Sequence, residues 1–421
     1  MRDTASPLWT WLLLLLVLFS TLTIAVRGQW PAGLFHAGIF FAAIAWMSFA
    51  AVTGRRLHAG PAVALLSAPV LAGIQQLAAG YTASRYETLV SVIFWLSMLA
   101  LAFLLRQWLT SSRHCQILLG LLSASAALSS VYVLLQPYMG GYHLLGLISA
   151  LTEDTAGPFQ NRNTYASFIE LALPVTLWYA LASRRNGWLF WSAAALMVAS
   201  VIATASRAGA ALVTMEVVMV LTVASRRGMI SPLKLIWGGA QLAAGAAIWA
   251  SLAGWQHLWH RLQFDDPIGF RREIYLSTID MIAQRPWAGY GMGSFELVYP
   301  AFARFDVGKT VNFAHNDWLQ WAMEGGVPMA AALAVMALWL IRPALRSVWG
   351  IGVLFVLLHS LLDYPMQRTG MACWVIAMIA ALEAFEAMAR QERCRSAGNA
   401  DQAEPGLGHR RGIQKVAAVH Q

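Results

Sequence analysis

Long apolar runs separated by short polar connectors dominate the chain. A helix needs roughly 17 to 25 mostly apolar residues to cross a bilayer. The pattern therefore predicts an all-α integral membrane protein with about 12 transmembrane helices. The predicted spans are Leu8–Val26, Gly33–Val52, Pro61–Ala79, Thr88–Leu105, Cys115–Gln136, Tyr165–Ala182, Trp188–Ala205, Ala208–Ala224, Leu233–Ala253, Val327–Ile341, Val348–Leu362 and Gly370–Ala387.

Composition and charge fit this prediction and exclude most soluble classes. Of the 421 residues, 58% are hydrophobic and only 12% are charged, whereas a soluble globular domain carries about 25% charged residues. A net charge of +9 can indicate nucleic-acid binding, but here arginine pairs such as Arg55 with Arg56 recur in alternate short connectors. Basic connectors stay on the cytoplasmic side. Both termini are thus predicted to be cytoplasmic, and no nucleic-acid partner is expected.

The chain divides into one polytopic membrane domain, residues 1–390, and a tail, residues 391–421. The tail is polar and poor in aromatic residues, so we expect a disordered cytoplasmic extension. The connector of residues 254–324 lies on the opposite, periplasmic side of the predicted topology and is much longer than the others. Long connectors inside compact proteins are usually functional, so the functional site is expected there.

This connector has helical patterning of its own. Apolar residues at helical spacing predict a helix from about Arg271 to Gln284. A second helix is predicted to begin near Asn316 and to run into the tenth span. Between them the glycine-rich stretch WAGYGMGSF permits either tight backbone packing or close approach to a ligand.

One histidine and three arginines carry the candidate chemistry. His315 lies at the entrance of the second helix, where it can act as a general base or simply cap the helix. Arg207 lies in a hairpin so short that its guanidinium must be at membrane depth, and a charge at a span centre costs about 2.5 to 3.5 kcal/mol. With Arg271 and Arg272 it predicts a lipid-phosphate site, because guanidinium groups suit phosphate oxygens. The alternative is that Arg207 extends to lipid headgroups.

Amide, imidazole and acidic side chains offer support for such a site. Asn161 and Asn163 precede the sixth span and suit sugar hydroxyls or helix capping. Asn316, beside the candidate base, is a similar amide. His359 and Asp363 are four residues apart and are predicted to form an orienting pair on one helical face.

Acidic side chains allow two other interpretations, a structural partner for an arginine and a metal site. Glu170 in the sixth span or Glu216 in the eighth can neutralise an arginine for purely structural reasons. The carboxylates do not show the alternating spacing of a typical metal site, so no metal and no cofactor are expected. The pairs that would become ligands if a divalent ion did bind are Asp265 with Asp266 and Glu153 with Asp154.

At these residues the sequence resembles the O-antigen ligase superfamily, which includes O-antigen ligases and O-antigen or exopolysaccharide polymerases. The matching stretches occur in order and lie between residues 157 and 363. They are PFQNRNTYA, ATASRAG, RREIY, PWAGYGMGSF, AHNDWLQWAMEGG and HSLLDYP.

The resemblance implies a GT-C-like membrane fold and metal-independent, inverting transfer of a glycan from undecaprenyl diphosphate. It implies that His315 is the catalytic base and that Arg207, Arg271 and Arg272 bind the diphosphate. Where many relatives have Trp after the loop arginine, this chain has Tyr275, which leaves that contact open. The implied partners are the lipid-linked donor, a lipid-linked or glycan acceptor and membrane lipids, in a bacterial inner membrane.

Three functions stay open on the residues alone. The favoured one is a ligase that joins the glycan to a lipid-linked core oligosaccharide. A polymerase would join two lipid-linked repeat units instead and differs only in its acceptor. A non-enzymatic transporter of lipid-linked sugars is disfavoured, because the distinctive polar residues collect on one side and no internal repeat is visible.

Overall fold

The computed structural model describes residues 7–25, 29–139, 143–144, 148–149, 155–183, 185–253, 256–264, 269–304, 308 and 310–402. In these residues the chain is almost entirely helical. The helices are α1 Pro7–Ser20, α2 Leu22–Ala25, α3 Trp30–Thr53, α4 Pro61–Ala79, α5 Arg85–Trp108, α6 Ser112–Leu135, α7 Arg162–Ala182, α8 Gly187–Ala203, α9 Arg207–Arg226, α10 Pro232–Ala253, α11 Gln256–Phe264, α12 Arg271–Gln284, α13 Phe295–Val298, α14 Asp317–Ser347, α15 Ile351–His359 and α16 Thr369–Gln402.

Shorter elements join these helices. Three 3₁₀ turns span Gln136–Tyr138, Tyr299–Ala301 and Pro365–Gln367. Two strands of two residues, β1 His143–Leu144 and β2 Ile148–Ser149, pair antiparallel between α6 and α7. They are a small local departure from the all-α expectation.

The helices confirm an all-α membrane protein. Ten helical segments of the described chain are long and apolar enough to cross a bilayer. Every predicted span has a helix, but two of these helices are short, since α8 has 17 residues and α15 only nine. At 1.5 Å per residue, α15 is too short to cross a bilayer alone, and the predicted span Val348–Leu362 is corrected to this shorter helix.

The centre of the bundle is formed by α7 and α16. In each, 83% of the most apolar stretch is buried, against 33% for α4 or α9. Exposed leucines, isoleucines and phenylalanines cover the peripheral helices, as at Phe41, Leu128 and Ile236. A helix bundle with apolar side chains both inside and outside is what a lipid environment favours.

The predicted connector helix is confirmed, because α12 begins at Arg271 and ends at Gln284. It packs on the start of α14 through a small core separate from that of the main bundle. Its buried face is formed by residues at helical spacing, Ile274, Ser277, Thr278 and Met281, whereas Ile279 is exposed. The connector is therefore a folded cap whose helix is anchored to the bundle.

The long helix α14 begins one residue after Asn316, as predicted, and is kinked at Gly326, where φ is +82°. The glycine-rich stretch packs against this kink. A Cβ on Gly289 would overlap the carbonyl oxygen of Glu324, and one on Gly326 would overlap that of Trp287. Of the two predicted roles for these glycines, the geometry supports close backbone packing.

The last helix runs past the predicted end of the membrane domain. Instead of ending near Arg390, α16 continues to Gln402. This corrects the expectation of disorder for residues 391–402. Residues 403–421 lie outside the described residues.

Candidate functional site

A single carboxylate joins several of the candidate residues. Asp363 follows α15 and its side chain is 4% exposed. Its Oδ1 lies 3.4 Å from Nδ1 of His315 and accepts a hydrogen bond from the Tyr364 amide at 3.0 Å. Its Oδ2 lies 3.3 Å from Nη2 of Arg271. The predicted base, one predicted phosphate ligand and one predicted supporting residue therefore meet, although they come from three separate stretches of sequence.

A hydrogen-bond chain extends this cluster to two further helices. Asn163, in the first turn of α7, donates from Nδ2 to Oδ2 of Asp363. Its Oδ1 accepts from the Ser206 hydroxyl at 2.8 Å. Ser206 is the N-cap of α9 and accepts from the Gly209 amide. Arg207, the first residue of α9, therefore begins its helix beside the same network and is partly exposed.

His315 is held in a strained backbone conformation. Its φ is +52°, a left-handed value that costs a non-glycine residue roughly 1 to 2 kcal/mol. The Tyr275 hydroxyl donates to the His315 carbonyl at 2.8 Å. The next residue, Asn316, caps α14 through the Leu319 amide and donates from Nδ2 to the Leu361 carbonyl. These contacts fix the direction in which the imidazole leaves the backbone.

The start of α14 is also bound to the turn that carries Asp363. Asp317 is fully buried, and its carboxylate accepts from the Met366 amide and from Nε2 of Gln367, each at 3.0 Å. Its own amide donates to the Ser360 carbonyl at 2.9 Å. These hydrogen bonds join the first turn of α14 to the turn after α15, so Asp317 fixes the two sides of the cluster to each other.

Electrostatics keep Asp363 ionised. Burial alone would raise the pKa of its carboxyl. The adjacent His315 and the positive charge of Arg271 outweigh burial and hold this pKa well below the ordinary range. The carboxylate is thus a fixed anion at neutral pH. The Nδ1 atom of His315 is itself buried, and at 3.4 Å it forms no well-aligned hydrogen bond with Asp363; catalytic contacts of this kind commonly tighten when substrate binds.

The three predicted phosphate ligands occupy different settings. Arg271 donates from Nη1 to the Leu362 carbonyl at 2.6 Å, and its side chain is 29% exposed. Arg272 is exposed and, one position along α12, is rotated by about 100° away from the direction of Arg271. Arg207 and Arg271 each begin a helix, where the macrodipole is also positive. Both therefore contribute to a positive potential at this end of the bundle. We call the end that carries His315, Asp363, Arg207 and Arg271 the loop end.

The predicted pairing of His359 with Asp363 is wrong. His359 is the last residue of α15, and Nδ1 lies 2.8 Å from Oε1 of Glu170 with both side chains fully buried. Asp363 lies beyond the helix and faces the loop end instead. Because α15 ends at His359, the two side chains are not on one helical face. Glu170, considered as a partner for an arginine, is thereby assigned to His359.

An aromatic pair lies beside His315. The rings of Phe313 and Tyr364 stack with centroids 4.4 Å apart and planes 19° from parallel. The His315 ring meets Tyr364 edge to face at 4.9 Å. Asn161, the N-cap of α7, donates to the Tyr364 hydroxyl at 3.4 Å. The Arg368 guanidinium lies 5.1 Å from the centroid of the Phe313 ring and 5.4 Å from that of the Tyr364 ring.

Sequence reasoning missed several residues that build this arrangement. A serine directly before a helical arginine is an N-cap signal, and an aspartate two residues after the candidate base, in the first turn of the predicted helix, is a visible signal as well. The aromatic pair had no such signal, since its members are far apart in sequence. The missed residues are Ser206, Phe313, Asp317, Tyr364 and Arg368.

The glycine-rich stretch belongs to the packing around the site. Gln76 of α4 donates to the carbonyls of Ala288 and Glu324, each at 2.7 Å, and accepts from the Met292 amide at 3.0 Å. The Thr88 hydroxyl donates to the Met292 carbonyl at 3.0 Å. These bonds attach the connector to α4 and α5.

The acidic side chains, histidines and cysteines of the described residues do not cluster as metal ligands do. Among the described residues, no three or more histidine, cysteine or acidic side chains come together as a metal site would require. The acidic pairs Asp265 with Asp266 and Glu153 with Asp154 lie outside the described residues.

A protein-family model matches a stretch of the chain that includes some of the site residues. The family model described as O-antigen ligase matches residues 192–334 and supports membership of the O-antigen ligase superfamily. No curated protein matches the chain. The match contains Arg207, Arg271 and His315 but not Asn163 or Asp363, whose contribution to the site rests on the geometry.

Proposed function

We propose that this chain belongs to the O-antigen ligase superfamily, a family of membrane glycosyltransferase-like enzymes, and that it transfers a glycan from undecaprenyl diphosphate to a lipid-linked acceptor. The product would be a lipopolysaccharide or a related surface polysaccharide. The observation that carries the proposal is the contact of ionised Asp363 with both His315 and Arg271. It supplies a base and a cation side by side at one end of a membrane-embedded bundle.

In the proposed reaction, Asp363 accepts a hydrogen bond from the Nδ1–H of His315, which keeps the proton on Nδ1 and leaves the lone pair on Nε2. With Nδ1 buried and 30% of the side chain exposed, Nε2 is the nitrogen available to substrate. It takes the proton of the acceptor hydroxyl as that oxygen bonds to the anomeric carbon. The bond from this carbon to the phosphate oxygen breaks, and its electrons leave with the diphosphate. Attack opposite the leaving group inverts the anomeric configuration.

The arginines would act on the leaving group. Arg207 and Arg271 stabilise the negative charge that develops on the diphosphate, since charge-assisted bonds to phosphate are strong. Arg272, which is exposed, would contribute through its charge and not through the network around Asp363. The diphosphate is itself a good leaving group, so the reaction needs neither ATP nor a metal for activation.

The proposed location follows from the arrangement of charges along the sequence. Basic residues concentrate in one set of short connectors and near both termini, which favours cytoplasmic termini and a periplasmic loop end. In a bacterial inner membrane, the donor's polyprenyl chain would then lie between helices while its diphosphate meets the loop end.

The decisive experiment is reconstitution of the purified protein with a defined lipid-linked donor and one acceptor at a time. Transfer to a lipid-linked core oligosaccharide supports the ligase, and growth of the glycan on a second lipid-linked repeat supports the polymerase. Movement of the donor across the bilayer without a new glycosidic bond would identify a transporter. Arg304→Ala is the matched control, because Arg304 is exposed in the same connector and pairs with Asp280; it should transfer at the wild-type rate.

A further inference from the structure

Arg368 is a cation that neither the sequence motifs nor the proposed reaction uses. It directly follows the 3₁₀ turn Pro365–Gln367 and is partly exposed. Its guanidinium lies over the stacked rings of Phe313 and Tyr364, 5.1 and 5.4 Å from their centroids. Guanidinium groups are weakly hydrated and pack well on aromatic rings. These contacts therefore fix the position of the Arg368 guanidinium without neutralising its positive charge.

The charge of Arg368 is not balanced by a carboxylate in the described chain. Arg271, Arg304 and Arg346 each form a salt bridge with an acidic side chain. Among the same described residues Arg368 forms none, and Asp363 is occupied by His315 and Arg271. A fixed, partly exposed cation without an acidic partner is suited to an anion from outside the chain.

The neighbouring helix strengthens this electrostatic argument. Arg368 immediately precedes α16, whose N-terminus carries the positive end of the helix dipole. A basic residue is ordinarily disfavoured at that position. Arg207 and Arg271 share this placement at the starts of α9 and α12, so three cations at helix starts surround the loop end. Each arrangement becomes favourable when an anion binds there.

Tyr364 connects Arg368 to the proposed base. The same ring contacts the His315 imidazole edge to face at 4.9 Å and the Arg368 guanidinium at 5.4 Å. Burial raises the pKa of the Tyr364 phenol, and the negative charge of Asp363 adds to that effect. The phenol therefore stays neutral and serves as a rigid spacer, which holds the cation beside His315 without competing for the ligand.

We propose that Arg368 binds a phosphate group of a substrate next to His315. The proposal rests on the proposed function and adds a third cation to it. The phosphate has two possible sources, the diphosphate of the polyprenyl donor and a phosphate carried by the lipid-linked acceptor. The recognition chemistry is the same for both, since a planar guanidinium binds two phosphate oxygens at once.

The test compares Arg368→Met, which keeps an unbranched side chain against the rings, with Arg368→Lys, which keeps the charge. Arg304→Met is the control, because it removes an exposed arginine from the same end of the protein. Purified protein is titrated with undecaprenyl diphosphate and with undecaprenyl monophosphate. The KM is then measured for an acceptor with and without its phosphate, and melting temperature reports folding.

If the donor supplies the phosphate, Arg368→Met should bind the diphosphate lipid at least tenfold more weakly. The variant should then no longer bind the diphosphate lipid more tightly than the monophosphate lipid. Arg368→Lys should recover part of this loss. If the acceptor supplies it, diphosphate binding stays unchanged and KM rises only for the phosphorylated acceptor. Wild-type values in both measurements would overturn the proposal, as would equal losses for all ligands with a lowered melting temperature. Arg368-dependent binding by a protein that transfers no glycan would support this site and overturn the proposed function alone.

Discussion

Two pairs of histidine and carboxylate, similar in chemistry, lie near the C-terminal end of α15, where His359 and Asp363 are four residues apart. His359 pairs with Glu170 inside the bundle, and all of both side chains is buried. His315 pairs with Asp363 at the loop end, where 30% of the imidazole is exposed. The interior pair is isolated from solvent. In the loop-end pair, Asp363 also contacts Arg271 and Asn163, and Asn163 is hydrogen-bonded to Ser206, the residue before Arg207.

The difference shows that accessibility and neighbouring cations distinguish a proposed reactive pair from a structural one. Both histidines have a carboxylate beside Nδ1. In His359 the other nitrogen, Nε2, is buried without a hydrogen-bond partner in the described residues. No substrate hydroxyl can reach it in this packing. The interior pair is instead suited to fixing α15 against α7, since removing one partner of a buried hydrogen-bonded pair leaves the other unsatisfied and is destabilising.

The largest expected effect separates the two histidines. His315→Asn should lower the rate of glycan transfer by about 10²- to 10⁴-fold, the usual contribution of a general base. Asparagine tolerates the left-handed backbone at this position, so folding should be retained. His315→Ala should lose activity similarly. Transfer assays and melting temperatures measured on the same purified samples check both outcomes.

The matched substitution His359→Asn should have the opposite profile. It removes the partner of Glu170 and should lower the melting temperature, while the remaining folded protein keeps its transfer rate. Wild-type transfer by a correctly inserted His315→Asn protein would contradict the general-base proposal. A rate loss in His359→Asn as large as that in His315→Asn would remove the distinction between the pairs.

The next effect separates the two carboxylates. Asp363→Asn should slow transfer by about 10- to 100-fold, because a hydrogen bond to a charged group contributes about 1.5 to 3 kcal/mol. The amide cannot act as the fixed anion that selects the His315 tautomer. Glu170→Gln, the equivalent change in the interior, should instead reduce thermal stability with little change in turnover. If both variants lost turnover equally, the interior pair would have to act on the site through α15.

Local signals in the sequence predict much of the frame around these pairs. The bounds of α12 follow from helical spacing and from the break at Arg285–Pro286, and the start of α14 follows from the capping residue Asn316. These features depend on neighbours within a few residues. The apolar runs predict the membrane helices for the same reason, because each run must itself be long and apolar enough to cross the hydrocarbon core of the bilayer.

The grouping of the site residues could not be predicted in the same way. A spacing of four in HSLLDYP indicates a shared helical face only while the helix continues, and α15 ends at His359. The turn after α15 is instead bound by residues far away in sequence, since the Asp317 amide donates to the Ser360 carbonyl and Asn163 donates to Asp363. The contacts of Arg368 likewise depend on Phe313, which lies in another segment. Such tertiary contacts have no local signature.

A smaller effect is expected for the cations. Arg207→Ala and Arg271→Ala should each weaken binding of a lipid diphosphate analogue by about tenfold, since partial exposure screens the charge. Lysine should restore only part of the affinity, because an ammonium group lacks the guanidinium fork. Titration of the purified variants measures this directly. Unchanged affinity in both alanine variants would indicate that these arginines serve topology or lipid headgroups.

Arg271 allows a sharper test because it also contacts Asp363. If it binds the diphosphate, Arg271→Ala should raise the KM for the donor. If it acts only by holding the pKa of Asp363 low, the substitution should reduce kcat with little change in KM. The ratio of the two effects therefore shows which contact matters more for transfer.

The smallest expected effect is that of metal removal, because excess EDTA should leave transfer by the purified protein unchanged. At the loop end, the charge of Asp363 is already balanced by Arg271, and Arg207 and Arg271 can stabilise the leaving group as a divalent ion otherwise would. The assay compares turnover before and after EDTA, followed by Mg²⁺ or Mn²⁺. Loss of activity that either ion restores would contradict this account. The residues to mutate first would then be Asp265 with Asp266 and Glu153 with Asp154, because adjacent carboxylates can supply oxygen ligands once folding brings a further one near.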